Sequence, residues 1–380
     1  MNQAKNVYAS ETYSDEDYAI QLKEKKNRLM DMLKPFSTEH SALSFDVHTS
    51  TPKHYRMRAE FRIWHEGDES YHIMFDQGTK AKYRVDALPS ACKLINHAMI
   101  EMMREVNADP SLRHKLFQLD YLATTSNELV ISMLYHRQLN ESWHEQVNQL
   151  RNKLKLTLGL ERFNIIGRAK KQKVCVDEDF VYETLYINGK AYRFKQVENS
   201  FTQPNATINV QMIEWVLNKL GHDTMDLLEL YCGNGNFSLP LSQSFRKVLA
   251  TEISKTSVNA ALDNIEANGI DNLQIARLSS EEFTQAFNQT REFNRLRNID
   301  LSSYEFSTVL VDPPRAGLDA QTLALIQGFD KIVYISCNPT TLADNLKALL
   351  TTHELEHTAM FDQFPFTPHI ESGVILRRKV

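Results

Sequence analysis

Cysteine is scarce in this chain of 380 residues: Cys92, Cys175, Cys232 and Cys337 stand far apart, with no Cys-x-x-Cys pair. That spacing argues against a disulfide scaffold, a zinc ribbon and a four-cysteine iron–sulfur site. Nine of the 13 histidines lie before residue 201, and none pairs at metal-ligand spacing, so no metal is expected. Glycine (12) and proline (11) are too few for a collagenous or linker-dominated chain. No apolar run approaches the ~18 residues of a membrane span. The start, Met1 to Asp17, is polar and acidic and lacks the basic-then-apolar layout of a secretory signal. A reduced, cytoplasmic protein is expected. What is present, 42% hydrophobic and 24% charged residues, reads as a folded globular chain, long enough for two domains.

Positive charge is unevenly spread. The net charge of −5 argues against a generic nucleic-acid binder, but the halves differ. Met1–Ser200 holds 29 basic and 27 acidic residues, and Phe201–Val380 holds 14 and 21. Between Arg151 and Lys173, eight cations, including Arg168, Lys170 and Lys171, face one acid, Glu161. Such a run is either a solvated face or a patch that contacts phosphates.

The halves also differ in rhythm. From Tyr55, apolar Tyr55, Met57, Ala59, Phe61 and Ile63 alternate with Arg56, Arg58, Glu60, Arg62 and Trp64. Period two predicts a half-buried strand with a basic outer face. Turns at Glu66-Gly67-Asp68 and Asp76-Gln77-Gly78 extend it into an antiparallel meander ending near Val85. Ser90 can cap a helix carrying Leu94, Ile95, Ala98, Met102 and Val106. Strands at Phe117–Ala123 and Leu129–His136, a helix near Glu141–Leu154 and several short strands complete an α+β domain, 1–200. The N-terminal ~50 residues are a candidate to pack on the other half.

Residues 201–380 alternate strand and helix. Strands are predicted at Met225–Leu230, Val248–Thr251, Leu273–Ala276, Thr308–Val311 and Ile332–Ile335, with helices at Phe237–Phe245 and Lys255–Asn268. This rhythm means βαβ units and a mostly parallel sheet. Two final strands, Thr358–Phe361 and Val374–Arg377, have no helix between them and predict a closing antiparallel hairpin.

Four segments of this half carry chemistry. Tyr231-Cys232-Gly233-Asn234-Gly235-Asn236-Phe237 joins a strand to a helix, where glycines let a ligand approach the backbone. Glu252 ends the next strand, about 20 residues on, where an acid can accept both hydroxyls of a ribose. Ser238 replaces the third glycine of a dinucleotide fingerprint, which favours an adenosine-type ligand without a pyrophosphate, as in S-adenosylmethionine. A tight turn in another doubly wound fold is the alternative, and Cys232 reads as a small packing residue. In Val311-Asp312-Pro313-Pro314-Arg315, two prolines stop a strand and hold Asp312 at its carboxyl end. An exocyclic-amine methyltransferase usually carries an aromatic ring where Arg315 stands, so Arg315 is expected to face a phosphate or a carboxylate. In Ser336-Cys337-Asn338-Pro339 a strand ends on a cysteine before a helix, whose N-terminal field is expected to lower the thiol pKa. The inert alternative is a buried packing cysteine. Glu371, in His369-Ile370-Glu371, is either a solvated loop acid or a group reaching back to the same rim.

Taken in order, Phe201-Thr202-Gln203-Pro204-Asn205, the Tyr231–Phe237 loop, Asp312-Pro313-Pro314-Arg315, Ser336-Cys337-Asn338-Pro339 and His369-Ile370-Glu371 resemble the RNA uracil-5-methyltransferase family. Tyr55–Arg62 and His114-Lys115-Leu116-Phe117-Gln118 look like its bacterial tRNA branch. The four-cysteine motif of the ribosomal-RNA branches is missing. The resemblance implies a Rossmann-like class I S-adenosylmethionine-dependent methyltransferase domain, preceded by an α+β RNA-binding domain. It implies methylation of uridine C5 at position 54 of the tRNA T loop, with tmRNA as a further candidate and no obligate protein partner. Gln203, Tyr231, Gly233, Asn236, Glu252 and Asp312 would form the cofactor site, Cys337 would be the nucleophile and Glu371 the base. Arg56, Arg58, Arg62, Phe117, Arg168, Lys170 and Lys171 are candidates to touch RNA. A ribosomal-RNA uracil-5-methyltransferase and an RNA-folding factor with incidental methylation are the alternatives.

Overall fold

Residues 13–36, 45–76 and 78–379 are described by the structure, a computed structural model. Most of the acidic N-terminal stretch, 1–12, lies outside the described residues. The chain divides into two compact units. The first comprises Met1–Asp17, Thr51–Thr184 and Gln196–Ala206, and the second Tyr18–Ser50, Leu185–Lys195 and Thr207–Val380. Helix α1 (Asp15–Leu33) and strand β1 (Phe45–His48) come first in the chain.

In the first unit the period-two segment becomes strand β2 (Arg58–Glu66), with Ala59, Phe61 and Ile63 buried and Glu60, Arg62 and Trp64 exposed. It leads to β3 (Glu69–Phe75) and β4 (Lys82–Arg84), then helices α2 (Lys93–Ala108) and α3 (Pro110–Arg113). Next come β5 (Leu116–Ala123), β6 (Leu129–Tyr135), helix α4 (Glu141–Thr157), β7 (Phe163–Ala169) and β8 (Gln172–Cys175). The sheet order is β4-β3-β2-β5-β6-β7-β8, and only β6 and β7, joined through α4, run parallel. Ile95, Ala98, Met102 and Val106 of α2 bury the helical stripe expected of them against this sheet's core. Helix α2 starts after Cys92 without a side-chain cap. Ser90 does not cap it; its carbonyl accepts the Arg56 N–H at 2.8 Å, which holds it in the neighbouring bridge. A hairpin, β9 (Phe180–Ile187) and β10 (Lys190–Val197), turns at Asn188-Gly189, both at positive φ.

The second unit follows the alternating pattern. Helix α5 (Ala206–Leu220) precedes β11 (Asp226–Leu230), α6 (Ser238–Leu241), β12 (Val248–Thr251), α7 (Lys255–Ala267), β13 (Leu273–Ala276) and α8 (Ser280–Phe287). Then come β14 (Phe306–Val311), α9 (Ala320–Ile326), β15 (Lys331–Ser336), α10 (Pro339–Leu349), β16 (His353–Phe361) and β17 (Glu371–Arg378). The strand order is β1-β16-β17-β15-β14-β11-β12-β13. From β15 to β13 the neighbours are parallel, and β17 runs antiparallel to both β15 and β16. The C-terminal hairpin is therefore not the sheet's edge; β1 adds outside it, parallel to β16. The α6 helix is shorter than the apolar pattern predicts and gives way to a 3-10 turn, Ser242–Ser244. The Ser242 hydroxyl donates to the Leu239 carbonyl at 2.7 Å, a local bond that competes with helix continuation.

Candidate active site

Strand register alone assembles the rim of the second unit. Leu230 of β11 pairs with Thr251 of β12 and with Val311 of β14, so Tyr231 follows between Glu252 and Asp312. Val311 pairs with Tyr334 of β15. Ser336 of β15 lies opposite Ser372 of β17, and the next residue on each strand's rim side is Cys337 and Glu371. The order across the carboxyl edge is thus Glu252, Tyr231, Asp312, Cys337 and Glu371, the edge at which open α/β sheets bind ligands.

The glycine turn is locked to its neighbours. Tyr231 and Gly233 sit at positive φ, and Gly235 (φ +85°) faces Leu239, whose Cδ1 a Cβ would meet at 2.1 Å. The carboxylate of Glu252 accepts the Gly233 N–H at 3.0 Å and the Ser254 N–H at 2.8 Å. Each carboxylate oxygen keeps a second lone pair, so two hydroxyls can still be accepted. Beneath the turn, Ser238 donates to the fully buried Glu229. Burial, with Asp312 and Glu252 nearby, pushes Glu229 up to about 8. A hydroxyl at the third glycine's place therefore serves a buried carboxyl. Cys232 is buried and its thiol is raised by burial, in keeping with packing.

A cavity of about 370 Å³ opens beside this turn, lined by Tyr231, Glu252, Ile253, Leu278, Ser280 and Asp319 among others. Its lining, with an accepting carboxylate at the strand end and an apolar pair in Ile253 and Leu278, suits an adenosine. Of the residues predicted for the cofactor, Tyr231 and Glu252 line it, and Gly233 supports it by bonding Glu252. Asn236 does not line it; its amide exchanges two 2.8 Å bonds with Asn209. Asp312, the residue after β14, lies outside this lining, and Gln203 belongs to the first unit. Two segments were not foreseen: Leu278–Glu281 and Ala316–Asp319. The first carried a readable sign, since Ser279-x-x-Glu282 forms a capping box at the start of α8. The Tyr231 hydroxyl pairs with the Ser280 hydroxyl at 2.6 Å.

Electrostatics at the other end of the rim correct one expectation. Cys337 is not lowered by the α10 terminus: burial, then the Glu371 and Asp312 carboxylates, push its thiol up to about 11. Only Arg315 among the neighbouring charges opposes them. A helix terminus carries about half a charge, less than two carboxylates supply. Glu371, 5% exposed, is raised by burial and by Asp312, and lowered by Arg315. Asp312 is pushed up to about 7 by burial. Arg315 lies near enough to lower Glu371, and its guanidinium meets His369 Nδ1 at 3.5 Å. Its backbone is tied to the cysteine turn: the Arg315 carbonyl accepts from Asn338 Nδ2 at 3.0 Å and from Thr341 Oγ1 at 3.3 Å.

In the first unit the basic run is largely neutralised. Arg151 pairs with Asp177, Lys153 with Glu105, Arg162 with Glu128 and Glu178, and Lys173 with Asp179. Arg168 makes a bidentate pair with buried Glu198 at 2.7 and 2.5 Å. Arg58 is bonded to Glu60 and to the Ser200 carbonyl, and Arg56 Nε donates to the Arg58 carbonyl. Lys170 flanks a groove of about 590 Å³ with Phe117, His136, Arg137 and Arg168, and Lys171 occupies the β7–β8 turn at φ 60°. Phe117 stacks on His136 with centroids 3.9 Å apart, and Arg62 lies over the Phe117 ring.

Known proteins resemble this chain along nearly its whole length. The family model described as tRNA (Uracil-5-)-methyltransferase matches residues 17–379. A Pectobacterium atrosepticum protein named tRNA/tmRNA (uracil-C(5))-methyltransferase is 55% identical over 366 residues, 96% of this chain and 98% of that protein. A Pasteurella multocida protein of the same name is 54% identical over 364 residues, 96% and 98% of the two chains. The crystal structure of Pyrococcus abyssi tRNA (uracil-54, C5)-methyltransferase with S-adenosyl-L-homocysteine has a TM-score of 0.68 at 20% identity. It covers 94% of this chain and 83% of that one, and the shared fold is the class I S-adenosylmethionine-dependent methyltransferase type. With its rim, its glycine turn and a match over residues 17–379, the chain belongs to the tRNA (uracil-5-)-methyltransferase family.

Proposed function

We propose that this protein methylates uridine C5 in tRNA, at position 54 of the T loop, and in T-loop-like RNAs such as tmRNA, in the cytoplasm. The observation that carries the reading is the register of β15 against β17, which sets Cys337 and Glu371 side by side beside Asp312. S-adenosyl-L-methionine, when bound, supplies an electrophilic methyl group. Glu252 would hold its ribose and Tyr231 would help wall its cavity. Gly233, Asn236 and Gln203 complete the proposed set, Gly233 through its bond to Glu252.

Uracil C5 is too weak a nucleophile to accept a methyl group unaided. Cys337 Sγ adds to C6, the electron pair moves to the C4 oxygen, and C5 becomes an enolate carbon able to attack. After C5 is methylated, Glu371 removes its proton, the C5–C6 double bond re-forms and the sulfur leaves as thiolate. Burial gives Glu371 the raised proton affinity this step requires. Arg315 favours the thiolate, and a proton held by Asp312 relieves part of the opposing charge while Glu371 stays free to accept the C5 proton. A stacked uridine hides C6, so it must be flipped out at a cost of a few kcal/mol. We assign that hold on the RNA to the first unit, with Arg62, Phe117, Lys170 and Lys171 as contacts and Arg56, Arg58 and Arg168 beside them.

Transfer of labelled methyl to total tRNA and, in a parallel reaction, to ribosomal RNA, followed by nucleoside analysis, tests the proposal. Label in 5-methyluridine from the T arm is expected. Label appearing only with ribosomal RNA, or none at all, would overturn it in favour of a ribosomal-RNA enzyme or an RNA-folding factor.

A further inference from the structure

Lys25, on α1, is 5% exposed and takes no part in the reaction described above. Its Nζ donates to Asp362 Oδ1 at 2.7 Å and to the Phe364 carbonyl at 2.8 Å. Asp362 is 1% exposed, and its Oδ2 has no hydrogen-bond partner among the described residues. Lys25 is thus the group that compensates a buried carboxylate, and the pair stands at the first residue after β16.

Two further α1 residues reach the same connection. Gln21 Oε1 accepts the Phe366 N–H at 2.7 Å, and Arg28 donates to the Pro368 carbonyl at 3.4 Å. Positions 21, 25 and 28 are spaced i, i+4 and i+7, one face of a helix. Leu29 and Leu33 of α1 are buried in the second unit's core and fix that face. Phe366 is held at φ 59°, a conformation a phenylalanine rarely adopts unaided. The nine residues 362–370, which deliver Glu371 to the rim, are therefore gripped at Asp362, Phe364, Phe366 and Pro368 by one helix face.

We infer that Lys25 and Gln21 are positioning residues for Glu371: through the 362–370 connection they hold its carboxylate where it can take the C5 proton. The inference rests on the proposed roles of Cys337 and Glu371. Its signature is a step-specific defect. Loosening the connection slows proton removal but leaves sulfur addition and methylation in place, so a methylated protein–RNA adduct accumulates.

The test uses the full chain, T-arm RNA and methyl-labelled S-adenosylmethionine, with the labelled adduct read on denaturing gels. Lys25→Met leaves Asp362 buried without its cation. Lys25→Met with Asp362→Leu removes that charge, and Gln21→Leu removes one hydrogen bond, so the test stands if the first variant fails to fold. Expected is an adduct fraction raised about tenfold, within the roughly hundredfold cost of a 1 Å misplacement, with unchanged affinity for RNA and for S-adenosylmethionine. Glu371→Gln is run beside them. If it accumulates adduct while the soluble α1 variants turn over normally, or lose turnover without adduct, the positioning role is refuted and the base assignment stands. If Glu371→Gln accumulates none, the base assignment fails, and the positioning role falls with it.

Discussion

The thiol of Cys337 is pushed up to about 11, and this makes a quantitative prediction for the free protein. At pH 8 a thiol with that pKa is ionised about one part in a thousand, against about one in ten for the reference value of 9.0. A more basic thiolate is also more nucleophilic. With a Brønsted slope near 0.4–0.5, two units of pKa return a factor of roughly six to ten. Cys337 should therefore react with iodoacetamide about ten- to twentyfold more slowly than an unperturbed thiol at pH 8. The sharper signature is the slope: its rate should climb about tenfold per pH unit from 7 to 10 without levelling. Replacing both neighbouring carboxylates, Asp312→Asn with Glu371→Gln, removes two of the raising causes and should speed alkylation at pH 8. Arg315→Met removes the opposing charge and should slow it. Peptide-level mass spectrometry separates Cys337 from Cys92, Cys175 and Cys232, whose thiols are also raised by burial. A Cys337 rate that levels off below pH 9, or one indifferent to the three neighbouring substitutions, would refute the reasoning. It would return control of the thiol to the α10 terminus.

Glu252→Ala should weaken S-adenosylmethionine binding about tenfold or more, because hydrogen bonds to a charged group contribute roughly 1.5–3 kcal/mol; titration calorimetry with unchanged affinity would misplace the pocket. Lys170→Glu with Lys171→Glu should weaken tRNA binding and lower its salt slope by about one per lost phosphate contact, with little loss of stability. Arg168→Glu should instead destabilise the protein by about 3 kcal/mol or more, since it opposes buried Glu198, and a denaturant melt tells the two apart. Asp120 is pushed up to about 6 by burial, so its folded form holds a proton that the unfolded chain releases near pH 4. Stability from this group falls as pH rises from about 4 to 6 and stays lower above. Asp120→Asn, which can keep the bond from Gln118 Nε2, should raise the urea midpoint at pH 8 and leave it nearly unchanged at pH 4.

Much of this protein follows from local sequence. The alternation from Tyr55 to Ile63 buries Ala59, Phe61 and Ile63 as a strand period requires, because side-chain direction along a strand depends on position alone. Val248–Thr251 and Leu273–Ala276 are strands with the bounds their apolar runs predict. The Tyr231–Phe237 turn and the Pro313-Pro314 stop are legible for the same reason: glycine and proline act on their own φ and ψ. Tertiary structure decided the rest. Whether Cys337 and Glu371 meet depends on β17 also pairing with β15; its hairpin with β16 is legible locally, but the β15 partner is not. The grip of Gln21, Lys25 and Arg28 joins residues more than 300 positions apart. The ion pairs of Arg151, Lys153, Arg162 and Arg168 turn a run that reads as bare positive charge into a mostly compensated surface. The thiol of Cys337, expected low beside a helix terminus, is high because a pKa sums burial and every charge within reach, and most of those arrive from strands distant in sequence.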